Sequence, residues 1–324
     1  MNSTELFFIC LGAAVVIFYG VKALLFTKML RPTFWFPLPQ TFFTSMGEWA
    51  VVTGASDGIG REYAFALAER GMNVVIMSRT KEKLNQVAGD IEASTGRRVQ
   101  VIVADFVKDS IFKEFQGQLR ELNVGVLVNN VGTLPSLIPC KFLQSADLDQ
   151  AITRVINCNV KTMVKMCSIV LPGMNSRGRG VIVNVSSGVA TFPSPLYSLY
   201  AASKVFVERF SQGLQAEYKD KGIIIQAVAP FGVCTQMASY LEPSMVALSP
   251  KDFVKCSLQY IRAGDKTYGS ISHIVLGGLL QLIPLSILQS ELIQHGLQDF
   301  LKKKATRKGY RLTSTSEFNY LGTE

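Results

Sequence analysis

The sequence WAVVTGASDGIG, at residues 49 to 60, joins a short apolar run to a glycine-rich turn. Its glycines follow the pattern Gly-x-x-x-Gly-x-Gly. Glycine permits a tight turn and lets the backbone approach a pyrophosphate, which then lies at the N-terminus of the next helix. A plain turn between a strand and a helix is the alternative, but the position directly after the first strand favours dinucleotide binding. We therefore predict that the cofactor-binding residues of this turn are Gly54, Ser56, Asp57, Gly58, Ile59 and Gly60.

Further apolar runs follow this turn, separated by segments of helix length. Including the first, the runs are residues 49–53, 73–77, 99–104, 124–129, 180–185 and 223–229. Continuous apolar runs are typical of parallel strands buried on both faces, and their alternation with amphipathic helices indicates a doubly wound sheet. The sequence therefore predicts an α/β fold with a Rossmann-type parallel sheet in a single catalytic domain. Its ligand cleft should lie at the carboxyl ends of the strands.

The second apolar run ends at Ser78 and Arg79, about twenty residues after the glycine turn. Enzymes that prefer NAD place an acidic side chain there for the ribose hydroxyls, whereas an arginine suits the 2′-phosphate of NADP(H). Arg61 is a second basic candidate, and a solvated surface charge is the alternative for either arginine. Asp105, after the third run, is placed to accept from the adenine amine. We therefore expect NADP(H) as the cofactor, with Ser78, Arg79 and Asp105 among its contacts.

The catalytic candidates come from the sequence Tyr-Ala-Ala-Ser-Lys at residues 200–204, preceded by Ser187 at the end of the fifth run. Tyr200 and Lys204, at i and i+4, share one face of a helix. A lysine ammonium beside a phenol favours the phenolate, which makes proton transfer feasible near neutral pH. We predict that Tyr200 is the proton donor, that Lys204 supports it, and that Ser187 and Tyr200 bind the carbonyl of the substrate.

Together these motifs make the chain resemble the short-chain dehydrogenase/reductase family over residues 47–266. The resemblance implies that Asn159 is catalytic, through a water that relays protons to the lysine. It implies that Asn130, in the motif Asn-Asn-Val-Gly, and Thr235, beyond the sixth run, contact the cofactor, with Thr235 near the nicotinamide carboxamide. It also implies a homodimer built on the helices that follow the fourth and fifth strands.

Residues 6–26 are almost wholly apolar and about long enough to cross a bilayer as one helix. No basic region precedes the run and bulky residues follow it, which favours a retained anchor over a cleaved signal peptide. Glu5 precedes the run while Lys28 and Arg31 follow it, so the positive-inside tendency places the rest of the chain in the cytosol. We expect residues 1–30 to form the anchor, in the endoplasmic reticulum membrane, and residues 31–46 to form an interfacial linker.

Within the family, residues 45–50, 130–135 and 197–200 and the anchor are similar to the microsomal 17β-hydroxysteroid dehydrogenases. The resemblance implies reduction of a 17-ketosteroid such as androstenedione. A very-long-chain 3-oxoacyl-CoA reductase shares most of these motifs, so a fatty acyl-CoA ketone is an alternative, as is a catalytically silent scaffold that binds NADP(H). Residues 236–250 resemble the substrate-covering loop of the family and indicate an apolar substrate. Their apolar side chains are Met237, Tyr240, Leu241, Met245, Val246 and Leu248.

The remaining segment, residues 267–324, combines a second apolar run with a basic tail. Residues 271–288 predict a re-entrant or interfacial helix or a hydrophobic substrate entrance, with a second full span as an alternative. The basic residues of the tail are Lys302, Lys303, Lys304, Arg307, Lys308 and Arg311, a cluster that suits anionic lipid headgroups, with a solvated tail as the alternative. Binding of nucleic acid is not expected, because no zinc finger, helix-turn-helix or aromatic platform accompanies the charge. The bilayer is therefore the expected partner.

Histidine and cysteine show no spacing typical of metal ligands. The chain has two histidines, His273 and His295, and six scattered cysteines. We expect no metal site, and the sequence gives neither histidine a role.

Overall fold

The computed structural model describes residues 2–108, 110–136, 138–145, 147–238, 241–307, 310–312 and 318–320. The strands are β1 (Trp49–Thr53), β2 (Asn73–Ser78), β3 (Val99–Val103), β4 (Val124–Asn129), β5 (Gly180–Val185), β6 (Ile223–Val228), β7 (Gly232–Val233), β8 (Ala247–Leu248), β9 (Lys266–Thr267), β10 (Tyr310–Leu312) and β11 (Phe318–Tyr320). The helices are α1 (Ser3–Leu30), α2 (Pro32–Trp35), α3 (Phe42–Met46), α4 (Gly58–Glu69), α5 (Lys81–Thr95), α6 (Phe112–Glu121), α7 (Leu148–Val155), α8 (Thr162–Arg177), α9 (Ser198–Tyr218), α10 (Pro250–Ser257), α11 (Ile271–Leu280), α12 (Leu285–Leu288) and α13 (Glu291–Arg307).

The main sheet has seven strands in the order β3-β2-β1-β4-β5-β6-β9, and each neighbouring pair is parallel. The predicted doubly wound parallel sheet is confirmed, and its first six strands end within one residue of the predicted ranges. Chain order reverses between β1 and β4, which places the switch point of the sheet beside the glycine turn. The seventh strand was not predicted, because two residues are too few to show a pattern.

Helices cover both faces of the sheet because its side chains alternate between them. Ala50 and Val52 face one side, where Leu67 of α4 packs against them. Val51 faces the other side, where Met166 of α8 lies. All five side chains are fully buried. Burial of each large apolar side chain contributes about 1.5–3 kcal/mol, so two such layers hold the strand ends in fixed positions.

Helix α1 has 28 residues, a mean hydropathy of 2.2 over its most apolar window and no buried residue. It is the one helix within the described part of the chain that is long and apolar enough to cross a bilayer. Its C-terminal end lies against the catalytic body, where the Tyr260 hydroxyl donates to the carbonyl of Met29 at 2.7 Å. Met29 also packs with Tyr260 and Ile274 in a small apolar cluster.

The segments on either side of the catalytic domain also contact it. Phe42 and Phe43, within the range predicted as a linker, are buried in the core beside α4. Helix α11 has ten residues, too few to cross a bilayer, and it buries His273 and Ile274 while it exposes apolar side chains. The exposed large apolar side chains of α11 to α13 and the turn between them are Ile271, Val275, Leu279, Leu282, Ile283, Leu285, Ile287, Leu292, Ile293, Leu297 and Phe300.

Candidate active site

The glycine turn folds back on itself between β1 and α4. Gly54 and Gly58 have positive φ angles of 67° and 57°, which glycine adopts without strain. A Cβ at Gly60 would collide with the carbonyl oxygen of Gly54 and lie 2.5 Å from the amide nitrogen of Asn130. That amide donates to the carbonyls of Thr53 and Gly54, both at 3.2 Å. Asn130 therefore holds the turn in the shape that opens the N-terminus of α4.

Helix α4 is capped at the same turn, because the carboxylate of Asp57 accepts from the backbone N–H of Gly58 at 2.7 Å. The Ser56 hydroxyl lies 2.9 Å from the Ser78 hydroxyl at the end of β2. This bond ties the glycine turn to the neighbouring strand. The two segments on which a dinucleotide would rest are thus held together by side chains that the sequence singled out.

The two candidate arginines lie in different places. Arg79 is exposed and lines the main cleft, beside Ser78 and Asp105. Arg61 lines an adjoining groove that shares Asp57 with the main cleft, and its guanidinium contacts Glu62 at 2.8 Å and Asp90 at 3.5 Å. The structure therefore places Arg79 in the lining of the main cleft, whereas Arg61 lies in the groove beside it.

Tyr200 and Lys204 project from α9 toward the end of β5. Lys204 is 3% exposed, and its Nζ donates to the carbonyl of Val185 at 2.9 Å. The same Nζ lies 5.7 Å from the centre of the Tyr200 ring. Burial lowers the pKa of Lys204 from its ordinary value to about 8. Ser187 begins the turn after β5, where its hydroxyl accepts from the N–H of Val189 at 3.4 Å.

Asn159 lies in a π-helical turn, Ile156–Lys161, between α7 and α8. Such turns occur frequently at functional sites, because the extra residue re-aims the side chains around it. Its side-chain oxygen accepts from the N–H of Thr133 at 2.7 Å, and its amide donates to the carbonyl of Thr133 and to the Ser203 hydroxyl, both at 3.0 Å. Asn159 is 1% exposed and links the loop after β4 to α9, one residue from Lys204.

The main cleft has a volume of about 350 Å³ and opens at the carboxyl ends of β1 to β6. Of the predicted site residues it is lined by Gly54, Asp57, Gly58, Ile59, Ser78, Arg79, Asp105, Asn130, Ser187, Tyr200, Lys204 and Thr235. Ser56 lines the adjoining groove, and Gly60 and Asn159 are buried and do not line the cleft. An open α4 N-terminus, a turn with no room for a Cβ at Gly60 and a basic side chain at the far end fit a nicotinamide dinucleotide.

Several lining residues were missed from the sequence. Phe106 and Val107 follow Asp105 after β3, and their position after a strand could have revealed them. Arg154 on α7 lines the cleft while it donates to the carbonyl of Pro135 at 2.9 Å. Nothing in the sequence around Arg154 signals this contact, because it depends on how the loop after β4 folds.

The predicted substrate-covering loop runs beside the cleft. Met237 and Ala238 line it, and Met245 is 87% exposed. The loop returns to the body at β8, which pairs with β7. Tyr240, predicted as part of this loop, lies outside the described residues.

The family model described as short chain dehydrogenase matches residues 48–245. The chain belongs to the short-chain dehydrogenase family. It is accordingly an oxidoreductase that uses a nicotinamide cofactor and acts on a ketone or the corresponding alcohol.

Two curated relatives and one solved structure are similar to most of this chain. The 17-beta-hydroxysteroid dehydrogenase type 3 of Danio rerio is 55% identical over 307 residues, which cover 95% of this chain and 100% of the relative. The very-long-chain 3-oxoacyl-CoA reductase of Anas platyrhynchos is 45% identical over 267 residues, 81% of this chain and 85% of the relative. A short-chain dehydrogenase from Sphingobium yanoikuyae, solved in complex with NADPH, has a TM-score of 0.62 and 28% identity, and covers 73% of this chain and 96% of its own.

We expect Gly60→Ala to weaken dinucleotide binding by at least about tenfold, because the new Cβ would displace the Gly54 carbonyl and the Asn130 amide. The matched control is Gly89→Ala on α5, where a Cβ meets nothing within 4 Å. Cofactor affinity can be measured by the fluorescence of the bound reduced dinucleotide. Equal affinities of the two variants would contradict this account of the turn.

Proposed function

We propose that this enzyme uses NADPH to reduce the 17-ketone of an apolar steroid of the androstenedione type to the 17β-alcohol. The observation that carries the proposal is the buried Lys204 amine beside the Tyr200 ring, within a cleft shaped for a dinucleotide. The similarity of the whole chain to 17-beta-hydroxysteroid dehydrogenase type 3 supports the choice of substrate.

In the proposed mechanism, NADPH supplies a hydride when it is bound. Tyr200 donates its hydroxyl proton to the ketone oxygen, and Ser187 donates a hydrogen bond that orients the same oxygen. The charged Nζ of Lys204 stabilises the negative charge that the Tyr200 oxygen acquires as the proton leaves. Asn159, through its π-helical turn, keeps the loop after β4 and α9 in place and supports the water that returns a proton toward Lys204.

The choice of NADP(H) over NAD(H) is proposed from the end of β2. Arg79 is an exposed cation on the edge of the cleft, beside the hydroxyl of Ser78. A planar guanidinium and a hydroxyl suit a phosphate, whereas NAD-preferring enzymes place a carboxylate at this position. The other proposed cofactor contacts are Gly54, Ser56, Asp57, Gly58, Ile59, Gly60, Asp105, Asn130, Tyr200, Lys204 and Thr235.

The covering loop favours a steroid over an acyl-CoA. Residues 236–250 contain no lysine or arginine and one acidic residue, Glu242, so they offer no partner for the phosphates of CoA. Met237 and Met245 are flexible apolar side chains that suit a rigid hydrocarbon ring system. A 3-oxoacyl-CoA reductase is the second candidate, supported by the relative of 45% identity.

We also propose that α1 anchors the enzyme in the endoplasmic reticulum membrane with the catalytic domain in the cytosol. The apolar surface of α11 to α13 would then rest on the same bilayer, since α11 packs against the end of α1 at Ile274 and Met29. Lys302, Lys303 and Lys304 would meet anionic headgroups. The domain boundaries at residues 30, 46 and 266 and the homodimer remain predictions.

The substrate is tested by NADPH oxidation in membranes that contain the full chain, with androstenedione or a long-chain 3-oxoacyl-CoA. We expect androstenedione to be preferred by at least about tenfold in kcat/KM, with the 17β-alcohol as product.

Tyr200→Phe should lower turnover by about 10²–10⁴-fold while NADPH still binds, because the proton donor is lost. The matched control is Tyr197→Phe, whose ring lies 6.3 Å from that of Tyr200 and outside the lining of the cleft.

Preference for the acyl-CoA in this assay would contradict the steroid assignment and leave the proposed residue roles intact. Substantial turnover by Tyr200→Phe would contradict those roles.

The cofactor is tested by Arg79→Glu, which we expect to raise KM for NADPH by at least about tenfold through charge repulsion, while KM for NADH stays the same or falls. Arg61→Gln is the control, because the Arg61 guanidinium already pairs with Glu62 and Asp90 and does not line the main cleft. The KM values for NADPH and NADH are measured by steady-state kinetics in the wild type and both variants. A wild-type enzyme that prefers NADH, or an Arg79 variant with unchanged KM for NADPH, would refute the proposal.

A further inference from the structure

His273 lies in the first turn of α11 and is completely buried. Its backbone N–H donates to the Ser270 hydroxyl at 3.3 Å, which caps the helix. Its ring lies outside the cleft but contacts two segments that border it. Neither the proposed chemistry nor the sequence gives this side chain a task.

Both ring nitrogens of His273 bind backbone groups. The N–H of Phe231 donates to Nδ1 at 3.4 Å, and Nε2 lies 3.3 Å from the carbonyl oxygen of Val246. An N–H can only donate and a carbonyl can only accept, so these two contacts require an unprotonated Nδ1 and a hydrogen on Nε2. They fit a neutral ring, and burial lowers the pKa of His273.

Phe231 and Val246 lie next to each other at the start of the short parallel pair formed by β7 and β8. Gly232 of β7 pairs with Ala247 of β8, and Phe231 and Val246 each immediately precede that pair. A Cβ at Gly232 would lie 3.2 Å from the carbonyl oxygen of Val246, so the two strands already approach closely. His273 thus bridges the point at which the covering loop, residues 236–250, rejoins the segment after β6.

The Phe231 end of the bridge reaches the proposed catalytic group. The Phe231 ring stacks on Tyr268 with ring centres 5.4 Å apart and lines the cleft. It also covers Gly188, where any Cβ would collide with the ring. Gly188 follows Ser187 directly, so the position of Phe231 constrains the turn that carries the Ser187 hydroxyl.

We propose that His273 is a positioning residue for ketone reduction, which holds the covering loop through Val246 and the wall beside Ser187 through Phe231. The inference rests on the proposed function. It assigns two separable effects to one ring: the Nε2 contact governs ketone affinity through the loop, and the Nδ1 contact governs turnover through the alignment of Phe231.

The two contacts can be separated by substitution in the full chain. The amide nitrogen of Gln can replace the Nε2 donor, and the amide oxygen of Asn can replace the Nδ1 acceptor. We expect His273→Gln to keep KM for the ketone within about threefold and lower kcat by about tenfold. For His273→Asn we expect KM for the ketone to rise about tenfold while kcat stays within about threefold. For His273→Ala we expect both the rise in KM and the fall in kcat. NADPH affinity should change little in any variant, because the glycine turn is not touched.

His295→Ala is the matched control, since His295 is the other histidine of the chain and is exposed on α13. Rates are normalised to the amount of enzyme that binds NADPH, so loss of folded protein does not imitate a change in KM or kcat. If His273 had a purely structural role, Gln, Asn and Ala at this position would each cause the same small change, or none, in both KM and kcat. That pattern would overturn the proposal.

A second measurement does not depend on turnover. Hydrogen exchange of the backbone amides of residues 241–250, read by mass spectrometry, reports how firmly this part of the covering loop is held. We expect faster exchange there in His273→Asn and His273→Ala than in the wild type, and a wild-type rate in His273→Gln. Equal exchange rates in all four proteins would refute the role of the Val246 contact. A wild type that reduces no ketone would instead defeat the proposed function and leave this result standing.

Discussion

The structure depends on the burial of one amine, that of Lys204, beside the Tyr200 ring. Removing an ammonium from water is unfavourable, and this burial lowers the pKa of Lys204 to about 8. The carbonyl of Val185 at 2.9 Å is the partner that the strand end offers. A Cβ on Gly132 would lie 3.2 Å from Nζ, so the loop after β4 leaves little room for a larger residue. Because little water surrounds Nζ to screen it, a positive charge on Lys204 acts strongly on Tyr200.

The fold delivers this arrangement because it is a parallel sheet. Strands β4 and β5 are parallel neighbours that end on the same edge, so the loop that carries Gly132 and the turn that carries Ser187 both line the cleft. Helix α9 returns over β5 with Tyr200 and Lys204 on one face. Asn159 ties α9 to the loop after β4 through Ser203 and Thr133. The N-terminus of α4 lies at the same edge, so a dinucleotide bound there would lie next to the amine.

Much of this could be predicted from local pattern. The strands are continuous apolar runs, so periodicity predicted the sheet, and the fixed spacings of the Gly54, Tyr200 and Lys204 motifs predicted part of the lining of the cleft. The remainder depends on tertiary contacts. Arg61 and Arg79 look alike in the sequence, but Asp90 on the next helix contacts Arg61 beside the cleft, whereas Arg79 lines the cleft itself. His273 meets residues 231 and 246 only after three segments pack, which no spacing reveals.

The central claim is that a charged Lys204 makes Tyr200 an effective acid, and the pH dependence of ketone reduction tests it most directly. The pKa of this lysine is lowered, so Nζ is charged below about pH 8 and neutral above it. Loss of the charge removes the stabilisation of the Tyr200 oxygen. We therefore predict that kcat/KM for the ketone, measured at saturating NADPH, is constant at neutral pH and falls as pH rises through about 8. A profile that stays flat to pH 10 would contradict the claim.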